Sequence, residues 1–210
     1  MKWVIAAAMT VTVLIGGLVA AARADDAATA VGDRFMELTR GSEWTPAGQT
    51  AVGFDTFHPQ GMVKIGDDFY VSSVDIIRKP EKYETPRDGT DRDAGKGEGH
   101  LFRIGPDGER LADLTLGEGM MYHPGGIDYD GRYIWIPVAE YRPNSRTIVY
   151  RVDPKTMTAE KLFTFADHVG GLVHDTRTNT LHGVSWGSRR LYAWSLADDG
   201  RPANADVAPA

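Results

Sequence analysis

Cysteine is absent from the 210 residues. That excludes disulfides, thiolate nucleophiles and thiolate metal sites, so the fold must rest on its own core. Positive charge is also short, with 23 Lys and Arg against 29 Asp and Glu. Such a balance argues against nucleic acid or an anionic membrane as partner. There is no Gly-x-Ser-x-Gly elbow, P-loop, His-Glu-x-x-His or dinucleotide fingerprint, which leaves out the commonest hydrolase and nucleotide chemistries. The long apolar run is Val4 to Ala22, behind Lys2 and ahead of Ala22-Arg23-Ala24. Residues 1–24 therefore read as a secretory signal peptide cleaved after Ala24, which predicts a periplasmic or secreted protein with no membrane association. A retained anchor is the alternative, since about 19 apolar residues just span a bilayer. Cleavage removes Lys2 and Arg23, leaving 21 basic against 29 acidic residues, a net charge of −8.

What the chain has in plenty is glycine, 24 residues, many in Asp-Gly or Gly-Asp pairs. That is the composition of an all-β chain with many turns. The phrase His123-Pro124-Gly125-Gly126-Ile127-Asp128-Tyr129-Asp130-Gly131-Arg132-Tyr133-Ile134-Trp135-Ile136 is central. It reads as strand, tight turn, strand. Relatives of it start at His58-Pro59-Gln60-Gly61 and at His168-Val169-Gly170-Gly171. Recurrence at this length predicts a repeat architecture.

The first unit is expected to hold strands near 61–65, 69–74, 100–104 and 110–116. The second should hold 126–129, 133–138, 147–152 and 159–165. The third should hold 171–174, 180–185 and 190–196, then fade. Four antiparallel strands per repeat predict a β-propeller over residues 49–196, with about three blades. Residues 25–48 read as a linker and N-terminal segment, with one turn of helix or a short strand near 35–39. Gln49–Phe54 reads as a loose outer strand, and 197–210 as a disordered tail. Three blades are too few to close a ring. Either the chain is a truncated form, or two copies pair as a homodimer into a six-bladed ring, each loose strand completing the partner's last blade.

The His-Pro-Gly-Gly-Ile-Asp-Tyr-Asp-Gly-Arg-Tyr-Ile-Trp-Ile phrase resembles the inner-strand phrase of NHL-type blades. It is also similar to that of the gluconolactonase, strictosidine-synthase-like and streptogramin-lyase propellers. The chain is closer still to a family of exported bacterial propellers carrying a His-Pro-Gln-Gly phrase. The resemblance implies a fold and no particular chemistry, because such propellers include enzymes and binding scaffolds.

In an antiparallel blade, the connection into strand one and the loop between strands two and three share a rim. His58, His123 and His168 should then face one channel mouth. The charged run 78–99, with six charges of each sign, should overhang it. Asp75 and Glu140, each 17 residues after its histidine, sit on the same rim. Neutral imidazoles with carboxylates suit a divalent ion, Zn²⁺ or Ca²⁺, bound by the three histidines, with Asp75 or Glu140 as base. A metal-assisted lyase or hydrolase of a small molecule follows. The competing reading is a non-catalytic propeller that binds a ligand or protein, its histidines bonding backbone between repeats. Asp75 and Glu140 would then pair with Arg78 and Arg142. Trp186 is expected on the rim, where it could stack on a ligand. His100 could join the rim or anchor the loop. His174 and His182 read as ordinary strand residues.

Overall fold

A computed structural model describes residues 30–203. The signal peptide expected at residues 1–24, residues 25–29 and residues 204–210 lie outside the described residues. The chain divides into two units, Met1–Gln49 and Thr50–Ala210. In the first unit, residues 30–36 form a helix, α1, which starts earlier than the one turn of helix or short strand expected near 35–39. Its C-terminal turn closes with Glu37 N–H on the Arg34 carbonyl and Leu38 N–H on that of Phe35. Val31, Phe35, Leu38 and Trp44 keep their apolar side chains largely exposed.

The second unit is mostly β, built as antiparallel sheets. The first sheet runs in the order β1 (His58–Ile65), β2 (Asp68–Arg78), β5 (Lys96–Ile104), β6 (Arg110–Leu116). Between β2 and β5 stands a hairpin of β3 (Lys82–Arg87) and β4 (Thr90–Arg92). The charged run was expected to lack strands. It pairs because Asp88-Gly89 supplies the two left-handed turn residues, φ 49° and 76°, that a tight hairpin requires. Asp93 clamps the base of this hairpin, accepting from Glu81 N–H and Gly95 N–H and pairing with Arg78 at 2.8 Å.

The second sheet is β11 (Thr158–Phe165), β10 (Thr147–Asp153), β9 (Ile134–Glu140) and β7 (Met121–Pro124), with β8 (Asp128–Tyr129) also on β9. The third is β12 (Val169–Asp175), β13 (Thr180–Ser185) and β14 (Leu191–Ser195). A short 3₁₀ turn, Trp186–Ser188, joins the last two strands. Every residue of β9 is buried, since the sheet is covered on both faces. Period-2 alternation divides its side chains: Ile134, Ile136 and Val138 pack toward Tyr70 and Leu101 of the first sheet, whereas Trp135 packs with Leu172, Tyr192 and Trp194 of the third.

The innermost strands meet backbone to backbone. Gly126 N–H donates to the Gly170 carbonyl at 2.9 Å, and Leu172 N–H to the Gly126 carbonyl at 3.2 Å, a parallel bridge between Gly126 and Gly171. A Cβ on Gly61 would stand 2.8 Å from the Ile127 nitrogen and 2.9 Å from the Gly126 Cα. Each of these glycines follows its histidine by three residues. Pro137, inside β9, accepts from Gly125 N–H at 2.9 Å but has no N–H to return. The Gly125 carbonyl is instead served by the Ser72 hydroxyl, from the first sheet, at 2.7 Å.

Three other expectations change. Residues 49–54 form no strand. They run past the turn after β5, with Gly53 N–H on the Gly108 carbonyl at 3.1 Å. Phe54 packs edge-on to Phe102 at 5.2 Å, covering the outer face of the first sheet. The chain after β14 is not a loose tail as far as residue 203. Ala197 N–H bonds the Arg201 carbonyl and Gly200 N–H that of Ala197, the same pattern as Gly105–Glu109 after β5. Pro202 then bridges Leu196, and Ala203 N–H reaches the Ser195 carbonyl, where the first two sheets place a fourth strand. Finally, His174 is more than a strand residue. Its Nδ1 lies 2.9 Å from Asp130 and its Nε2 3.1 Å from Asn179 Oδ1, tying the third sheet to the β8–β9 turn.

Ser72→Ala should strand the buried Gly125 carbonyl and cost about 1–3 kcal/mol. Gly61→Ala should cost a similar amount, about 1–3 kcal/mol, by overpacking the inner strands. Urea unfolding at constant m-value measures both; an unchanged midpoint for either would refute the corresponding contact.

Candidate functional site

The three repeat histidines stand side by side. His58 opens β1, His123 lies in β7 and His168 directly precedes β12. The ring centroids of His58 and His123 are 6.3 Å apart, as are those of His123 and His168. The inner-strand contacts at Gly61, Gly126 and Gly171 set this spacing, because each imidazole leaves its strand at the same distance from its glycine. All three line one cavity of about 300 Å³, with Gln60, Tyr141 and Trp186.

Their surroundings differ. His58 is exposed, its Nδ1 2.9 Å from the Gln60 amide. His168 is buried, its Nδ1 2.8 Å from the Glu140 carbonyl. A carbonyl only accepts, so Nδ1 carries the proton and Nε2 is left as a lone pair. Burial pushes this ring below its ordinary value, against the pull of the Glu140 and Arg142 carbonyls. His123 is 7% exposed, and its buried Nε2 has no hydrogen-bond partner. Burial, reinforced by the His168 and His58 rings, pushes it down to about 4. An unpartnered buried ring nitrogen costs free energy, so it marks a place where a bound group would be stabilised.

Tyr141 stacks on His123 at 4.2 Å, and Trp186 meets His168 edge-on at 4.7 Å. Trp186 was anticipated on this rim; Tyr141 and Gln60 were not. Each is next to a residue the repeat picks out, Tyr141 after Glu140 and Gln60 inside His58-Pro59-Gln60-Gly61. Their local signal, however, is that of any aromatic or amide in a turn.

The carboxylates are elsewhere. Glu140 is 3% exposed, but its Oε2 takes Arg142 Nε at 2.6 Å and it does not line the cavity. What it offers the site is its backbone carbonyl. Asp75 is half-buried on β2 opposite Glu98 and does not line the cavity either. His100 is also outside it. That ring lies between Phe57 and Phe102, at 5.2 and 5.1 Å, with Nδ1 2.9 Å from Asp113. Among the described residues, no three His, Asp or Glu side chains are grouped to hold an ion.

The hairpin β3–β4 reaches across to the other sheets. Gly89 O accepts from Asn144 Nδ2 at 3.0 Å, and the Arg92 guanidinium lies 5.3 Å from the Trp186 ring centre. Beneath it is a second cavity of about 380 Å³, lined by Gly89, Asp91, Asn144, Asp167, Trp186, Arg189 and Arg190 among others. Trp186 and Ser185 line both cavities. Asp167, next to His168, accepts from its own neighbour's N–H at 2.7 Å, from Arg190 at 2.9 Å and from the Tyr192 hydroxyl.

The chain belongs to a family of unknown function, DUF6454, which residues 19–210 match. No curated protein matches it.

The depressed His123 value makes a pH prediction. Above about 6.5 the folded and unfolded chains both hold this ring neutral. Between there and about 4 only the unfolded chain takes the proton, so this residue weakens the fold by about 1.4 kcal/mol per unit of falling pH. Unfolding free energies at pH 7.5 and 4.5 should therefore fall more steeply for the native chain than for His123→Phe. Equal slopes would show that the ring is not held neutral.

Proposed function

We propose that this member of the DUF6454 family is an exported protein that binds a small molecule among its three imidazoles and performs acid–base chemistry on it, of the lyase or hydrolase kind. The three sheets, in this reading, are blades of a β-propeller, and the pocket is the mouth of its axial channel. Face-to-face stacking of the sheets and the glycine contacts between their innermost strands support that arrangement. The apolar outer face of the third sheet, with Val173 and Leu191 exposed, is where a further blade would stack.

One observation carries the functional reading: two imidazoles, both biased toward neutrality, border the same cavity, and one has its tautomer fixed. His168 donates Nδ1–H to the Glu140 carbonyl and so presents Nε2 as an acceptor. Oriented in this way, it can take a proton from a ligand C–H or O–H, or from water attacking it. His123 offers a second acceptor, and Tyr141 and Trp186 form the walls on which a planar or sugar-like body would rest. The role of base thus moves from Asp75 and Glu140 to His168.

A divalent ion asks for a different spacing. Two imidazoles on one tetrahedral Zn²⁺, at bonds of about 2.0–2.1 Å, bring their centroids to about 5 Å. Pairs at 6.3 Å would have to draw together by about 1 Å before His58, His123 and His168 could share a tetrahedral Zn²⁺. A non-catalytic binding role is the second reading, and it is favoured by a cavity wall that, among the described residues, carries no carboxylate to act as partner acid.

Turnover of a panel of small esters, lactones and eliminable β-substituted acids tests the proposal. His168→Gln should lower kcat/KM by about 10²–10⁴-fold. The native rate should rise as pH climbs through the His168 value, below 6.5, and level off above it. Ligands that quench Trp186 fluorescence but are not turned over would favour the binding role. Stoichiometric Zn²⁺ uptake by calorimetry, lost in His123→Ala, would restore the metal centre.

A further inference from the structure

The cavity beneath the β3–β4 hairpin plays no part in the chemistry above, yet it shares a wall with the imidazole pocket. On one side of Trp186 lies the His168 ring, edge-on at 4.7 Å; the Arg92 guanidinium lies 5.3 Å from its centre. Ser185 likewise lines both spaces. The two spaces therefore adjoin at this indole.

Charge in the second cavity is unevenly spent. Asp91 is held by Arg92 through two bonds, at 2.8 and 2.9 Å. Asp167 is held by Arg190, the Tyr192 hydroxyl and the His168 N–H. Both carboxylates are thus committed to fixed donors. Arg189, by contrast, has no carboxylate within ion-pair distance and no side-chain hydrogen bond among the described residues. Arg190 uses only one terminal nitrogen, on Asp167 and on Asn144 at 3.4 Å. Among the described residues, the cavity has spare guanidinium donors, while both of its carboxylates already hold guanidinium partners. A planar fork of donors is the group that recognises a carboxylate or phosphate.

We propose that the small molecule bound by the imidazoles carries an anionic oxygen group, a carboxylate or phosphate. Arg189 and the free edge of Arg190 seat that group beneath the hairpin, and the ligand body crosses Trp186 toward His168. The proposal rests on the small-molecule reading of the imidazole pocket. It adds that the hairpin makes half of the site.

Benzoate, phenyl phosphate and the uncharged benzyl alcohol test it on the mature protein, with affinities from calorimetry and contacts from the histidine Cε1–H and Trp186 indole signals. At low salt the two anions should bind about tenfold tighter than the alcohol, and the gap should narrow as salt rises. Whichever anion shows the larger gap identifies the group. Arg189→Ala, at an exposed position, should narrow the gap to the part Arg190 supplies while leaving benzyl alcohol affinity unchanged. Equal affinities in the native protein, or a gap that Arg189→Ala does not narrow, would overturn the inference. If benzyl alcohol still shifts the His123 and His168 signals in that case, the imidazole pocket stands without it. Anions that bind yet leave both histidine signals unmoved would overturn it as well, because the cavities would not share one ligand.

Discussion

The structure depends on how closely three strands can approach one another. Gly61, Gly126 and Gly171 let the innermost strands touch main chain to main chain, and a single added Cβ at Gly61 would collide with the Gly126–Ile127 backbone. A side chain at Gly61 would push the first two sheets apart and separate the imidazoles that leave their strands three residues earlier. Packing of the sheet faces then follows. Ile134, Ile136, Val138 and Trp135 are shared between two cores because β9 lies between two other sheets.

Polar groups hold the sheets in this relation. Pro137 removes one ladder bond where β9 meets the inner strand, and Ser72 restores it from the neighbouring sheet. Asp130 does a similar task at the other end of β9, accepting from Trp135 Nε1 at 2.7 Å and facing His174 Nδ1 at 2.9 Å. Tyr70 donates to the Pro154 carbonyl at 2.9 Å. The Ser72, His174 and Tyr70 bonds join segments far apart in the chain, and each is buried or half-buried. An unmade partner there costs more than the bond itself contributes.

At the site, the same demand for partners sets the state of the imidazoles. Glu140 gives its carboxylate to Arg142 and its carbonyl to His168, so what it does there is fix the tautomer of that ring. His123 is left without a partner for Nε2, in a place too buried to be charged at neutral pH. The hairpin β3–β4 closes a second cavity against Trp186, which makes the indole a wall shared by an imidazole-lined space and one lined by Asp91, Asp167, Arg189 and Arg190.

The sequence by itself determined the repeat, the positions of most strands and the alignment of the three histidines, because period-2 alternation and the His-x-x-Gly phrase are local and recur. It also marked Trp186 as a rim residue and the run after Arg78 as a cover. Only the tertiary structure decided what each side chain faces. Glu140 and Asp75 share a register position with respect to their histidines; the pairing with Arg142 that the sequence offered for Glu140 forms, whereas Arg78 pairs with Asp93 and not with Asp75. His100 looked available until Phe57 and Asp113, distant in sequence, were seen to enclose it. Residues 197–203 have a polar, Ala-rich composition, yet Asp199-Gly200 repeats the turn after β5 and brings Pro202 beside Leu196. Orientation, enclosure and shared walls come from contacts between remote segments, and no local pattern encodes them.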